Sequence, residues 1–259
     1  DHAEIWRDGQ LLSSWDHLAD TGVFGHPILI GNILFFASDQ NRSGIASYDI
    51  SDPEHPALLD VLKTGGPGGY WPEPFAIDGN LYIVFPYRTG GNGIRVVDVT
   101  DPSDMQLIAD VPLPGDECMY VQFQDEYAFV GSHKVDMRTF TSVLNFDGEN
   151  TVRTNDGGIG IDTSQYMMPL GNLVVSGGSG PFQGMAIWAH QDEPDTQGPT
   201  VAYHIPRAGQ TGYPLSGSIS LLIHETLETP TIRTGHTFIV RPVGGEAVSG
   251  TMVFTFDDT

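Results

Sequence analysis

The stretch GIASYDISDP at residues 44–53 recurs as GIRVVDVTDP at residues 93–102, and five of the ten positions are identical. A second pair lies upstream, with IGNILF at residues 30–35 and DGNLYI at residues 78–83. Weaker copies of this second stretch begin at Gln124 and at Leu170. Four consecutive units of about 46 to 49 residues are therefore visible, and an internal period of this length is typical of repeat architectures.

Each unit predicts four short strands. An apolar strand, a Gly-Asn or Asp-Gly turn and a second apolar strand come first, and such turns favour tight β-hairpins. A third strand such as Ile94 to Val99 and a fourth such as Met105 to Val111 follow. The sequence therefore predicts an all-β fold, and the fixed period favours four-stranded β-propeller blades over a β-sandwich, because one twisted four-stranded sheet needs neighbours to cover its faces.

Aspartates mark the corner between the third and fourth strands. Asp52-Pro53 and Asp101-Pro102 are expected to form a turn, in which the carboxylate accepts backbone N–H bonds and the proline fixes φ. Asp49 and Asp98 are expected to bind backbone beside the same corner. A structural role is thus favoured for these carboxylates over a catalytic one.

The strand from Ile94 to Asp98, followed by Val99 to Ser103, resembles the LVIVD repeat, a propeller-forming family. The resemblance extends from about Gly25 to Asp192, and it weakens in the third unit and again in the fourth, where Gly184 to Trp188 remains. It implies an extracellular, cell-surface or periplasmic protein, and it implies no defined reaction.

The predicted organisation has four parts. Residues 1–24 are an N-terminal segment, with a strand that completes a blade as one option. Residues 25–192 hold the repeats, at about 25–68, 69–117, 118–163 and 164–192, and residues 193–198 form a linker. Residues 199–259 resemble the start of a bacterial immunoglobulin-like domain of surface-layer or adhesin proteins. Such a sandwich needs about 100 residues, so we expect a downstream segment or a partner subunit to complete the fold.

Composition limits the partners. Eleven basic and 33 acidic residues give a formal charge of −22, which repels nucleic acid and anionic membrane surfaces. No apolar run is long enough for a spanning helix, so membrane insertion is not expected. Cys118 is the single cysteine, which excludes an intrachain disulfide. The acidity indicates either solubility in an extracellular setting or the binding of calcium or a cationic partner.

Two groups of residues are candidates for ligand binding. Tyr70 and Trp71, in a glycine-rich loop before a first strand, could stack on a sugar, although packing inside a channel explains them as well. Arg42, Arg88 and Lys134 lie in loops between middle strands and would suit a carboxylate-bearing glycan, with solvated loop charge as the alternative.

The metal signals are weaker. The histidines lack the spacing of a zinc motif. His26 and Glu73 both lie near the starts of first strands and form the leading metal pair, and Asp156 and Asp162 are candidates for calcium without EF-hand spacing. No cofactor is otherwise indicated.

Three functions follow. The first is a noncatalytic binding or structural module of a large secreted or surface protein, serving adhesion, surface assembly or glycan binding. The alternative is an enzyme that acts on acidic polysaccharide in a propeller channel, with Arg88 and His133 as catalytic candidates. The second alternative is a subunit of an extracellular filament that a partner strand completes.

Overall fold

The computed structural model describes residues 2–38, 44–65, 70–88, 91–114, 118–146, 166–178, 184–214, 217–225, 227, 232 and 237–248. In these ranges the protein is all-β, as predicted, with several small antiparallel sheets and none closed into a barrel. The arrangement of the sheets as propeller blades and the immunoglobulin-like domain remain predictions.

An N-terminal hairpin opens the chain, with strands β1 (Ala3–Arg7) and β2 (Gln10–Trp15). A short helix, α1 (His17–Thr21), follows it; Asp16 caps this helix by accepting from the Ala19 N–H, and Gly22 ends it in a left-handed conformation. Within the described ranges no helix has the length and hydropathy to cross a bilayer.

Four sheets come next, and each runs its strands in chain order. Sheet 1 holds β3 (Gly25–Ile30), β4 (Ile33–Ser38), β5 (Gly44–Asp49) and β6 (Ala57–Lys63). Sheet 2 holds β7 (Glu73–Ile77), β8 (Asn80–Tyr87), β9 (Gly93–Asp98) and β10 (Gln106–Pro112). Sheet 3 holds β11 (Val121–Gln124), β12 (Tyr127–Val130), β13 (His133–Asp136) and β14 (Thr141–Asn145). Sheet 4 holds β15 (Tyr166–Leu170), β16 (Leu173–Gly178) and β17 (Gly184–Ala189), so in the described residues it has three strands where the repeat predicted four.

The first hairpin of every sheet has a two-residue turn. The residues that flank these turns pair as Ile30 with Ile33, Ile77 with Asn80, Gln124 with Tyr127, and Leu170 with Leu173. The first residue of each turn has positive φ, at Gly31, Asp78, Asp125 and Gly171. The turns predicted from sequence are confirmed. Glycine and aspartate suit the first position because both tolerate this left-handed conformation.

The aspartate corners are confirmed as well. Asp49 and Asp98 each accept a bond from the backbone N–H two residues on, at 2.8 Å. Asp136 does the same in sheet 3, where it accepts from Arg138 and Thr139. Sheet 3 has no proline at this corner, so proline is not required to form it.

Neighbouring sheets cover one another's faces. Phe35 packs with Ile83 and Phe85 of sheet 2, whereas Phe36, the next residue, packs with Trp15 of the N-terminal hairpin. Sheets 2 and 3 share a cluster that includes Val84 and Val130, and sheets 3 and 4 share one around Phe129, Met167 and Trp188. Because side chains alternate along a strand, both faces of the central strands are buried in successive clusters. Full burial of a side chain such as Phe35 contributes about 2–3 kcal/mol.

After sheet 4 the chain returns over the ends of the first strands, and residues 190–225 are called the return segment below. Its hairpin, β18 (Val201–Ile205) and β19 (Ser220–Ile223), packs Tyr203 and Leu222 on the cluster between sheets 1 and 2. Ser220 Oγ accepts from the Gly31 N–H at 3.0 Å, and His224 Nε2 accepts from the Ala76 N–H at 2.9 Å. The return segment thus covers backbone groups that lie at the ends of β3 and β7.

Contacts divide the chain into two units, Asp1–Glu225 and Thr226–Thr259. This division differs from the predicted linker at residues 193–198, because the return segment belongs to the unit of the sheets. In the second unit Val240 and Val248 form an isolated antiparallel bridge.

Candidate functional site: an aromatic column

One stacked ring comes from the start of each sheet, and His26, Trp71, Tyr120 and Tyr166 together are called the aromatic column. The ring centroids are 4.8 Å apart for His26 and Trp71, 4.7 Å for Trp71 and Tyr120, and 4.1 Å for Tyr120 and Tyr166. The rings are nearly parallel at each step, with interplanar angles of 28°, 23° and 21°. Each such pair contributes about 0.5–1.5 kcal/mol beyond its buried area.

The strand period explains how the column forms. His26 shares its strand face with Ile28 and Ile30, which pack toward sheet 2, and so the imidazole meets Trp71. Trp71 and Tyr120 are also joined by a parallel bridge, with the Trp71 N–H donating to the Met119 carbonyl at 3.2 Å. Backbone and rings therefore hold sheets 2 and 3 together at the same point.

The column determines how a ligand could reach the predicted stacking residues. His26 of sheet 1 and Tyr120 of sheet 3 lie on opposite sides of Trp71, so both faces of the indole are covered. Tyr70 is buried, and the Arg88 guanidinium lies 4.7 Å from its ring centroid. Tyr70, Trp71 and Arg88 are thus brought together, but Tyr166, 41 % exposed, is the most accessible ring of the column.

Lys134 lies in a different environment from Arg88. It is buried, with Nζ 3.9 Å from the Tyr127 ring centroid and 3.1 Å from His190 Nδ1. His190 Nε2 donates to the Gly171 carbonyl at 2.6 Å, so Nδ1 is the acceptor for the ammonium. Burial lowers the pKa of Lys134 and the pKa of His190. Lys134 therefore serves the packing of sheets 3 and 4.

His133, the alternative catalytic residue, is also buried. Its Nδ1 lies 2.8 Å from Ser142 Oγ, and its Nε2 lies 3.1 Å from the Pro114 carbonyl. These contacts tie β13 to β14 and to the end of sheet 2. They give the imidazole a structural role, whereas the Arg88 guanidinium lies over the Tyr70 ring.

The predicted metal pair consists of His26 and Glu73. His26 belongs to the column, and Glu73 is half-buried at the start of β7. In the part of the chain that the structure describes, no three His, Cys, Asp or Glu side chains are grouped so as to hold a metal ion. Arg42, Asp156 and Asp162 lie outside the described residues.

Tyr120 and Tyr166 are the column residues that the sequence reasoning missed. The four column positions follow one another at intervals of 45, 49 and 46 residues, which match the repeat. An aromatic residue at the same place in every unit was therefore the available signal. It was hidden because the residue type changes from one unit to the next.

No protein-family model matches the chain, and no curated protein matches it. The resemblance to the LVIVD repeat and to immunoglobulin-like domains therefore remains a prediction.

Proposed function

We propose that the chain is a noncatalytic binding and structural module of a secreted or cell-surface protein. In this proposal the four sheets are β-propeller blades, which support a ligand-binding end at the starts of their first strands. The aromatic column carries the proposal, because it gathers one ring from every sheet at the same end. The shared strand order and the mutual covering of sheet faces support the propeller arrangement.

A glycan is the ligand class that suits this end. Imidazole, indole and phenol rings combine an apolar body with a polar edge, which matches the alternating C–H and hydroxyl surfaces of a sugar. The charge of −22 disfavours a polyanion. Lys134 is engaged between sheets, and the Arg88 guanidinium lies over the ring of Tyr70, the residue that precedes Trp71 of the column. A neutral glycan is therefore favoured over a uronate polymer.

Titration with neutral and uronate oligosaccharides, followed by NMR, tests the proposal. Tyr166→Ala should weaken binding by about tenfold, which is the loss of roughly 1.4 kcal/mol, whereas Tyr166→Phe should keep most of the affinity. Leu107→Ala, at an exposed position of β10, is the matched control. Binding that Tyr166→Ala leaves unchanged would contradict a role for the column.

The enzymatic alternative is tested on the same samples by analysis of reaction products. We expect no turnover of uronate polymers. Turnover that disappears in Arg88→Ala or His133→Ala would overturn the noncatalytic proposal.

A further inference from the structure

The series of sheets has two different ends, and both expose apolar side chains. At the first end, Trp6 and Leu11 are cross-strand partners on the outer side of the N-terminal hairpin, and Trp6 is 57 % exposed. At the last end, Met168 of β15 is 50 % exposed and Met185 of β17 is 63 % exposed. Between the two ends, the clusters of buried residues join each sheet to the next.

The register of sheet 4 defines its outer surface, called the end face. Residues opposite each other on neighbouring strands share a face, which gives three rows: Tyr166, Gly177 and Met185; Met168, Val175 and Ile187; Leu170, Leu173 and Ala189. The alternate residues Met167, Val174 and Trp188 pack toward sheet 3. No residue in the three rows is charged, although the chain carries a charge of −22.

We propose that the end face of one copy packs on the N-terminal hairpin of a second copy, head to tail. In sheets 1, 2 and 3 the face that corresponds to the end face is covered by the next sheet along the chain. The contact between copies continues that packing. In this contact the Trp6 ring of one copy stacks next to Tyr166 of the other. The Trp6 indole N–H donates to Glu4 Oε2 at 2.8 Å, so it keeps a hydrogen-bond partner when it is buried.

The geometry sets the kind of assembly and its strength. Since the two surfaces differ, the contact is heterologous and extends into rings or filaments instead of stopping at a twofold dimer. Three strands of five or six residues cover an area of roughly 14 by 17 Å, well below the ~800 Å² per partner of a stable complex. Association is therefore weak and rises with protein concentration. Added salt strengthens it by screening the like charges of the copies.

Sedimentation velocity on the full chain, over a series of protein concentrations and at low and high salt, tests the proposal. Leu170→Asp places a charge on the end face, and Leu11→Asp places one on the hairpin. Each variant alone should remain monomeric where the wild type associates. An equimolar mixture should form one-to-one dimers and nothing larger, because each variant keeps one intact surface. Leu107→Asp, an exposed leucine on β10, should associate like the wild type.

The other outcomes overturn the proposal. Association that survives Leu11→Asp but not Leu170→Asp would indicate pairing of two end faces. A wild type that stays monomeric at every concentration, or a mixture that does not dimerise, would also reject the head-to-tail contact. Met185→Asp is the second end-face variant, and thermal unfolding checks that each variant folds. All these variants retain Tyr166. If Leu170→Asp binds glycan but the association test fails, the head-to-tail contact is wrong and the proposed function stands.

Discussion

Gly44 shows why a residue recurs in the repeat. A Cβ atom at this position would lie 2.6 Å from the Leu62 carbonyl oxygen, and one at Gly93 would meet the Val111 carbonyl in the same way. Each glycine opens the third strand of its sheet, where the backbone of the fourth strand approaches closely. The shared glycine is therefore required by packing between two strands.

Gly44→Ala tests this requirement. The added methyl group must displace backbone, so we expect the free energy of unfolding to fall by about 1–3 kcal/mol. Urea unfolding measures the change. Gly198→Ala is the control, since a Cβ at Gly198 meets no atom within 4 Å. An effect no larger than that of the control would contradict the packing argument.

His224 makes stability depend on pH. The ring is buried against Phe75, with centroids 4.5 Å apart, and its Nε2 accepts from the Ala76 N–H. Burial lowers the pKa of His224 from 6.5 to about 4. Because the folded pKa lies below the unfolded one, the contribution of this residue is complete above about pH 6.5 and is lost as the pH falls toward 4.

Between about pH 7 and pH 5, protonation of His224 should lower the free energy of unfolding of the wild type by about 2 kcal/mol. His224→Gln should not show this part of the loss. Asp125 and Glu225 change stability in the opposite direction, since they favour the folded state as the pH falls. Burial and neighbouring carboxylates raise the pKa of each. The comparison of variant with wild type cancels their effect. Urea unfolding at both pH values measures the difference, and parallel pH dependences would show that His224 is not the group responsible.

At the scale of elements, local chemistry made the hairpins and corners predictable. A two-residue turn with glycine or aspartate and an aspartate that accepts from the second following N–H are both set by neighbouring residues. The return segment was not predictable in this way. Its bonds to Gly31 and Ala76 join residues 189 and 148 positions apart, and the alternation within β18 and β19 does not reveal which sheet they cover.

Two truncations test the return segment. A chain of residues 1–225 should keep the thermal stability of the first unit, whereas residues 1–190 should lose at least about 3 kcal/mol, because the contacts of Tyr203 and Leu222 disappear. Calorimetry compares the two. Equal stabilities would mean that residues from 199 onward form an independent domain, as the sequence resemblance implied.

At the scale of the whole molecule, charge opposes compactness. With 33 acidic and 11 basic residues, folding brings like charges together. Raising NaCl from about 0.1 M to 1 M shortens the Debye length from about 10 to about 3 Å. We expect the melting temperature to rise by a few degrees, as scanning calorimetry would record. A fall would indicate that attractive ion pairs dominate.

The order of the sheets was predictable at this scale, because the repeat fixes where each one begins. The site was predictable in part. Trp71 was identified from its loop, but the covering of both its faces depends on His26 and Tyr120 from two other sheets. Closure of the series into a propeller depends on the surface that meets the end face, and the repeat itself does not encode that surface.

Packing between successive sheets also sets where the molecule opens first. Sheet 2 lies between two buried clusters, whereas the N-terminal hairpin and sheet 4 each expose an outer surface. In such one-dimensional arrays, cooperative loss of structure begins at the termini. Amide protons of β8 and β9 should therefore exchange with deuterium last, and those of β1 and β15 first. Protection from exchange should increase from both ends of the series toward sheet 2.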